Sequence, residues 1–449
     1  MTDSPPPPLQ HPASNTTVFL DQPPSCLQFS PAIPDCCIIG TYLLSEQKDE
    51  TNDANIQQTK TGSLQLWRIN PSTNELTLLS KLPLPYAVFD LHFHPRDPSL
   101  LSIATSAGSV AFFRLTPGEN DDQPPTLAHL LTHSVHEDPS IPALFLAWTP
   151  STWPSLTPGT NTDNTPLDAF AVTFSDSLTT IFQYTPGPDP DSPPQIAELD
   201  SFPASQAIEV WFAALATFPN ASSSQQQQQQ AQQQIPYIFT GNDFGALHTR
   251  RYDTNRTPTI SSSETDPRPQ QLSALLDHHD RGRHHTAGVT SILPLPIPLQ
   301  DDSPVILTGS YDESLRVYHA TRRGEVLTEI GLGGGVWRLQ LLSSSSPSSS
   351  SSSVAGEADG WTGLVLASCM HGGTRVVRVQ CSAESGWEME ILAEFREHES
   401  MNYASDVWKP VGGYELPVRS DKAGKQEQEI LCLSSSFYDR RVCLWRVRV

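Results

Sequence analysis

The chain has 449 residues, 37% of them hydrophobic, and a formal net charge of −22. That length supports a large core, arranged either as two or three domains or as one large closed β body. The acidic balance argues against a general nucleic-acid backbone binder and is compatible with a basic protein partner. Seven cysteines without a CxxC pair suggest neither a structural zinc site nor a redox pair, and are expected as buried free thiols in a reducing compartment. "MTDSPPPPLQ" lacks the basic and apolar regions of a signal peptide, and apolar runs such as "IPALFLAW" are too short to span a bilayer. The expectation is a soluble, cytoplasmic protein with no membrane and no nucleic-acid partner.

Short β-rich runs recur along the chain. In order they are "CLQFSP", "CCIIGTYLL" and "GSLQLWRI"; "VFDLHFHP" and "LLSIATSAGSVAFFRL"; "ALFLAWTP" and "AFAVTFSDSLTTIFQY". Next come "AIEVWFAALATFP" and "YIFTGNDFGALHTRRY"; "GVTSILPL" and "VILTGSYDESLRVYHA"; "GGGVWRLQLL" and "LVLASCMHGGTRVVRV"; and "ASDVWKP" with "ILCLSSSFYDRRVCLWRV". Each unit supplies three strands of a four-stranded sheet, and the following segment supplies the fourth. Such a sheet cannot hide both faces alone, and stacking around an axis buries them. The expected fold is all-β, a seven-bladed WD40-type β-propeller with long polar loop insertions.

The last unit stops at its third strand, and "NTTVFLD" (Asn15 to Asp21) is available as the fourth. The expected organisation is therefore a disordered tail over 1–14 and a single propeller over 15–449, closed by an N-terminal strand. Segments 45–60, 151–166, 222–234, 253–269 and 343–353 are polar, glutamine-rich or serine-rich, and are expected as loops.

His285, Ser310 and Asp312, and likewise His398, Ser436 and Asp439, have the residue types of a hydrolytic triad. They also fit the polar network of WD-type blades, where a histidine before the first strand meets an aspartate in the turn between the second and third. A Ser or Thr such as Thr308 or Ser434 joins them, and a Trp such as Trp445 closes the set. The sixth unit differs: its turn, "CMHGGT", carries His371 where the other turns carry Asp312 or Asp439. A neutral imidazole at that place can exchange a proton near physiological pH, or can simply be a satisfied turn residue. In "GLGGGVWR", the Gly333, Gly334 and Gly335 amides could meet an anion or ease a tight entry into the blade. Trp337 could cover a ligand or pack between blades, and Arg338 could meet a carboxylate or phosphate. There is no GxSxG nucleophile elbow, no HExxH and no glycine-rich βαβ loop, so no metal or cofactor is expected.

"ILTGSYDESLRVY", "GGGVWRLQL", "LASCMHGGTRVVRV", "EHESMNYASDVW" and "SSSFYDRRVCLW" together resemble the WD-repeat diphthine methyl esterase family, also called diphthine methyltransferase or diphthamide biosynthesis protein 7. The resemblance is strongest from about Ile238 to the end, and looser across the amino-terminal units. It implies hydrolysis of a methyl ester on the modified histidine of translation elongation factor 2, releasing methanol and diphthine. His371 is then the first choice of base. Asp312, His398 and Asp439 would orient groups around it, the Gly333–Gly335 amides or Arg338 would stabilise negative charge, and Ser368 or Ser436 is a competing nucleophile. The alternative is a noncatalytic WD-repeat scaffold or adaptor.

Overall fold

The structure is a computed structural model that describes residues 8–49, 52–120, 123–154, 167–219, 234–253, 272–345, 360–417 and 428–449. Every regular element among them is a β-strand, and these fall into seven antiparallel blades. From the inner strand outward, blade 1 contains Pro24–Phe29, Cys36–Thr41, Asn52–Asn70 and Glu75–Leu84. Blade 2 contains Val88–Phe93, Leu100–Thr105, Ser109–Thr116 and Thr126–Ser134. Blade 3 contains Ala143–Trp148, Ala169–Phe174, Leu178–Thr185 and Gln195–Pro203. Blade 4 contains Val210–Pro219, Gln234–Asn242, Leu247–Tyr252 and Ala274–His279. Blade 5 contains Val289–Pro294, Val305–Ser310, Ser314–His319 and Glu325–Gly331. Blade 6 contains Arg338–Ser345, Thr362–Ser368, Thr374–Ser382 and Gly386–Phe395.

Blade 7 is assembled from both ends of the chain. Asn402–Val407, Glu429–Ser436 and Arg441–Arg448 are followed by Ser14–Phe19, which pairs antiparallel with Arg441–Arg448. Each inner strand touches the inner strands of the blades on either side, and the seventh returns to the first, so the ring is closed.

Burial explains the strand sequences. Middle strands are covered on both faces by neighbouring blades, so Ala169–Phe174 and Val305–Ser310 are buried at every residue and read as continuous apolar or small runs. The outermost strands meet water on one side, and Glu75–Leu84 mixes exposed with half-buried residues before ending on buried Leu84. The core lies in the seams between blades: Phe112, Trp148 and Phe170 interlock between blades 2 and 3, and Phe395 stacks on Trp445 between blades 6 and 7. Burying each large apolar side chain contributes on the order of 1.5–3 kcal/mol.

Segment 45–60 differs from the expected loop. Leu43–Asp49 pairs with the amino-terminal part of Asn52–Asn70, extending blade 1 as a hairpin. The hairpin is anchored to a buried strand, and its backbone groups pair with each other. Residues 155–166, 220–233, 254–271 and 346–359, which hold most of the other expected insertions, and 1–7 of the expected tail lie outside the described residues. Trp153, in the described start of segment 151–166, is buried against Tyr252. Among the described residues, no helix is long and apolar enough to cross a membrane.

Candidate functional site

The repeat itself builds the mouth of the central channel. In six blades the pairing of inner and second strands slips by one residue near the start, at Ser25, Phe89, Leu144, Trp211, Thr290 and Tyr403. Such a bulge leaves the extra residue outside the ladder and re-aims its side chain. In blade 6 regular pairing starts at Arg338 with Ser368, and the Trp337 amide donates to the Ser368 carbonyl at 2.8 Å, which puts Trp337 at the corresponding level. Small residues at two of these places bond to the next blade instead: Ser25 Oγ donates to the Val88 carbonyl at 2.6 Å and Thr290 Oγ1 to the Val336 carbonyl at 2.5 Å.

The large ones meet across the gaps. Trp211 and Trp337 lie 5.6 Å apart by ring centroid, Trp337 and Tyr403 5.0 Å, and Tyr311 contacts both tryptophans at 6.2 and 5.9 Å. The series continues through Phe437 and Tyr42 to Phe89. Trp211 Nε1 donates to Asp243 Oδ1 at 2.7 Å, fixing the indole. Burial, reinforced by the Asp243 charge, pushes the Tyr311 phenol well above its ordinary pKa, so it stays a neutral donor.

The next residue of each inner strand lines the neck below. Arg338 lies at this level, with its guanidinium carbon 4.8 Å from the centroids of both Phe145 and Trp337 and 5.4 Å from that of Phe212. These are cation–π distances. Across the neck, Arg338 Nη2 is 3.7 Å from Asp90 Oδ2. The same carboxylate oxygen is 2.9 Å from His92 Nε2. Asp90 and His92 are two apart on one strand and therefore share a face.

A cavity of about 170 Å³ runs from Ser25 and Tyr403 past Arg338, Asp90 and His92 to Gln28, Gln340 and Asp406. Asp406 is fully engaged: it accepts from the Phe29 amide at 2.7 Å, Gln340 Nε2 at 2.9 Å and Lys409 Nζ at 2.8 Å. Cys26 also lines the cavity, but burial and then the Asp90 charge push its thiol far above the ordinary range. It is a thiol rather than a thiolate.

The histidine–aspartate sets of blades 5 and 7 are built differently from the direct contact expected. His285 Nε2 lies 2.9 Å from Thr308 Oγ1, and His398 Nε2 lies 2.7 Å from Ser434 Oγ, which also accepts from Trp445 Nε1 at 3.0 Å. Each aspartate binds the amide of the residue after the histidine instead. Asp312 Oδ2 accepts from Thr286 N at 3.0 Å, and Asp439 Oδ2 from Glu399 N at 3.1 Å. The loop is thereby gripped by its backbone, and each imidazole is left in the blade. Both histidines are buried, and burial lowers His285 to about 3 and His398 to about 4. Blade 5 has no tryptophan closing the set; Tyr318 donates to Asp280 Oδ2 at 3.1 Å. Ser368 and Ser436 are buried, with Ser368 Oγ bonded to Ser405 Oγ at 2.9 Å and Ser436 Oγ donating to Asp439 Oδ1 at 2.5 Å.

The sixth turn leans onto blade 7. The Met370 amide donates to the Asn402 carbonyl at 3.2 Å and the Asn402 amide to the Met370 carbonyl at 3.0 Å. In blade 5 the corresponding amide, Tyr311, bonds to Gly288 before its own blade's inner strand. Glycines make room for this shift. A Cβ on Gly334 would lie 2.1 Å from the Cys369 carbonyl oxygen, and one on Gly335 2.7 Å from Met370 Sδ; Gly333 has φ +73°. Gly333–Gly335 thus pack against the turn, while Trp337 and Arg338 beyond them face the channel. His371 stands exposed on the rim, with Nε2 3.4 Å from Glu313 Oε1. Its acidic neighbour is thus the residue after Asp312, whereas Asp312 is held by Arg316 Nη1 at 2.9 Å. His371, Asp312, His398 and Asp439 all lie in or beside loops of this face without forming one hydrogen-bonded set among the described residues.

One group among the described residues has the make-up of a metal site. His248, Asp277 and His279 bring ligand atoms within 4.8 Å of one another. The carboxylate is already taken, by His248 Nε2 at 2.5 Å and Arg250 Nε at 3.1 Å.

No family model matches the chain. It is 31% identical over 161 residues to a protein of Schizosaccharomyces pombe named diphthine methyltransferase, covering 36% of this chain and 38% of that one. A Mus musculus protein of the same name is 24% identical over 378 residues, covering 82% of this chain and 63% of that one. One from Homo sapiens is 27% identical over 128 residues, covering 28% and 23%. The matched region is under two thirds of each relative's length. Among solved structures, Chaetomium thermophilum Sqt1, bound to the N-terminus of a ribosomal protein, has TM-score 0.50 at 12% identity, covering 95% of this chain and 97% of that one. The WD40 repeats of RRP9 have TM-score 0.50 at 12% identity, covering 98% and 99%. The chain shares the propeller fold of the solved structures, and its sequence is similar to proteins named diphthine methyltransferase.

Proposed function

We propose that this chain is a carboxylic ester hydrolase that acts on methylated diphthine, the modified histidine of translation elongation factor 2, and releases methanol and diphthine. The observation that carries this reading is the trio in the channel neck. Asp90 Oδ2 lies 2.9 Å from His92 Nε2 and 3.7 Å from Arg338 Nη2, beneath an aromatic mouth. Ester hydrolysis needs a base for water, a stabiliser for the oxyanion and an acid for the leaving group.

His92 serves as base, with Asp90 fixing the ring orientation. Water attacks the ester carbonyl as its proton passes to His92, and Arg338 balances the negative charge of the tetrahedral intermediate. Collapse breaks the bond to the methoxy oxygen, which takes the proton back from His92 and leaves as methanol. The acid product then ionises to the carboxylate. Arg338 suits the oxyanion better than the Gly333–Gly335 amides, because Gly334 and Gly335 are buried against the sixth turn.

His371 is the second candidate for the base, supported by its exposure and by Glu313 at 3.4 Å. His398, His285, Asp312 and Asp439 are then positioning residues that hold the loops around the mouth. The acidic surface suits a basic face on the elongation factor. Purified chain incubated with elongation factor 2 bearing methylated diphthine should release methanol. Stable binding without release would favour a scaffold.

A further inference from the structure

A second concavity lies on the outer wall, away from the channel residues. It is a cavity of about 580 Å³ between the outer strand of blade 4 and the turn that joins the two outer strands of blade 5. His278, His279, Arg281, Arg283, Arg322 and Arg323 line it, together with Asp277. The chain carries −22 overall and only 27 lysines and arginines, yet four arginines converge here. None of the four makes an ion pair among the described residues. Asp277, the one acid in the wall, is occupied by His248 at 2.5 Å and Arg250 at 3.1 Å.

The two arginine-bearing turns are braced against each other. Asp280 Oδ1 accepts from the Leu247 amide at 2.9 Å and the Gly282 amide at 3.0 Å, while its other oxygen accepts from Tyr318 at 3.1 Å. His278 Nε2 meets the Thr321 carbonyl at 3.0 Å, and His284 Nε2 the Arg323 carbonyl at 3.2 Å. Each turn needs a left-handed glycine beside its arginines, Gly282 at φ +63° and Gly324 at φ +70°. At Gly324 a Cβ would fall 1.7 Å from the Tyr318 hydroxyl oxygen.

Four like charges held on braced turns repel one another unless an anion sits among them. Guanidinium forks bind phosphate oxygens in pairs. The lining contains no aromatic ring other than the two imidazoles, so no platform for a stacked nucleobase is present. We propose that this basin is a binding site for a compact polyanion carrying two or more phosphate groups.

The test is calorimetric titration of the full chain with inorganic tripolyphosphate at about 0.15 M salt. Saturable binding is expected. The double variants Arg281→Ser/Arg283→Ser and Arg322→Ser/Arg323→Ser should each weaken it at least about tenfold, with the thermal midpoint unchanged. Arg322→Lys/Arg323→Lys, which keeps the charge and loses the fork, should weaken it by a smaller factor. Absence of saturable binding would overturn the proposal, as would affinity equal to the parent's in both serine variants. Preferential binding of a single-stranded oligonucleotide, abolished by the same variants, would overturn it in favour of a nucleic-acid surface.

Discussion

Arg338 and Asp90 face each other across the channel neck, Nη2 to Oδ2 at 3.7 Å, from the inner strands of blades 6 and 2. The contact spans the ring and fixes the charge pattern beneath the aromatic mouth. Removing the guanidinium, in Arg338→Ala, should lower kcat for methanol release by about 100-fold, the usual scale for a lost oxyanion donor. Arg338→Lys should recover part of the rate. Steady-state kinetics on the modified elongation factor measures both.

The two candidate bases separate cleanly by substitution. His92→Gln should lower kcat by about 100-fold or more while leaving substrate binding within about threefold. Asp90→Asn should act in the same direction by misorienting the ring. His371→Gln should stay within about threefold of the parent in kcat. A large loss in His371→Gln with little change in His92→Gln would move the base to the rim.

The aspartate–histidine pair of the neck was legible in principle. "VFDLHF" alternates on a strand, so Asp90 and His92 share a face, but nothing local says that the face lines a channel or that Arg338, 248 positions later, reaches it. The blades themselves were legible because turn residues and period-two runs recur. The acid expected opposite each blade histidine was legible as a residue and not as a contact. Asp312 and Asp439 grip the Thr286 and Glu399 amides, and backbone partners leave no trace in side-chain identity. Glu313 carries no local signal beside Asp312, because its link to His371 joins two blades. The hairpin from Leu43 has the composition of a loop, and its pairing depends on the strand that anchors it.

Acid should destabilise the fold through the buried blade histidines. Burial lowers His398 to about 4 and His285 to about 3 from an ordinary 6.5. Between pH 6.5 and 4 the unfolded chain therefore binds more protons than the folded one. Stability is fully present above pH 6.5 and is lost as pH falls through that window, by up to about 1.4 kcal/mol per pH unit for each histidine. Urea unfolding at pH 6 and pH 5 should show the loss, and His398→Gln should reduce the slope by about one proton.

Gly334→Ala should be destabilising out of proportion to one methyl group. Its Cβ would meet the Cys369 carbonyl oxygen at 2.1 Å and the Gly372 nitrogen at 2.5 Å, both backbone atoms. Overpacking of this kind costs about 1–3 kcal/mol. A lower urea midpoint with unchanged m is the expected outcome.

Ring closure by Ser14–Phe19 makes the amino terminus part of the last blade. Deleting residues 1–20 should expose the edge of Arg441–Arg448 and lower the thermal midpoint by several degrees or more, as read by circular dichroism.

The most direct test of the ester hydrolase assignment is methanol release from translation elongation factor 2 bearing methylated diphthine, with the ester methyl isotopically labelled. The parent chain should convert the label to free methanol over many turnovers, and His92→Gln should fall at least about 100-fold below it. Tight binding of the modified factor with no labelled methanol released would contradict the assignment and leave the propeller as a scaffold.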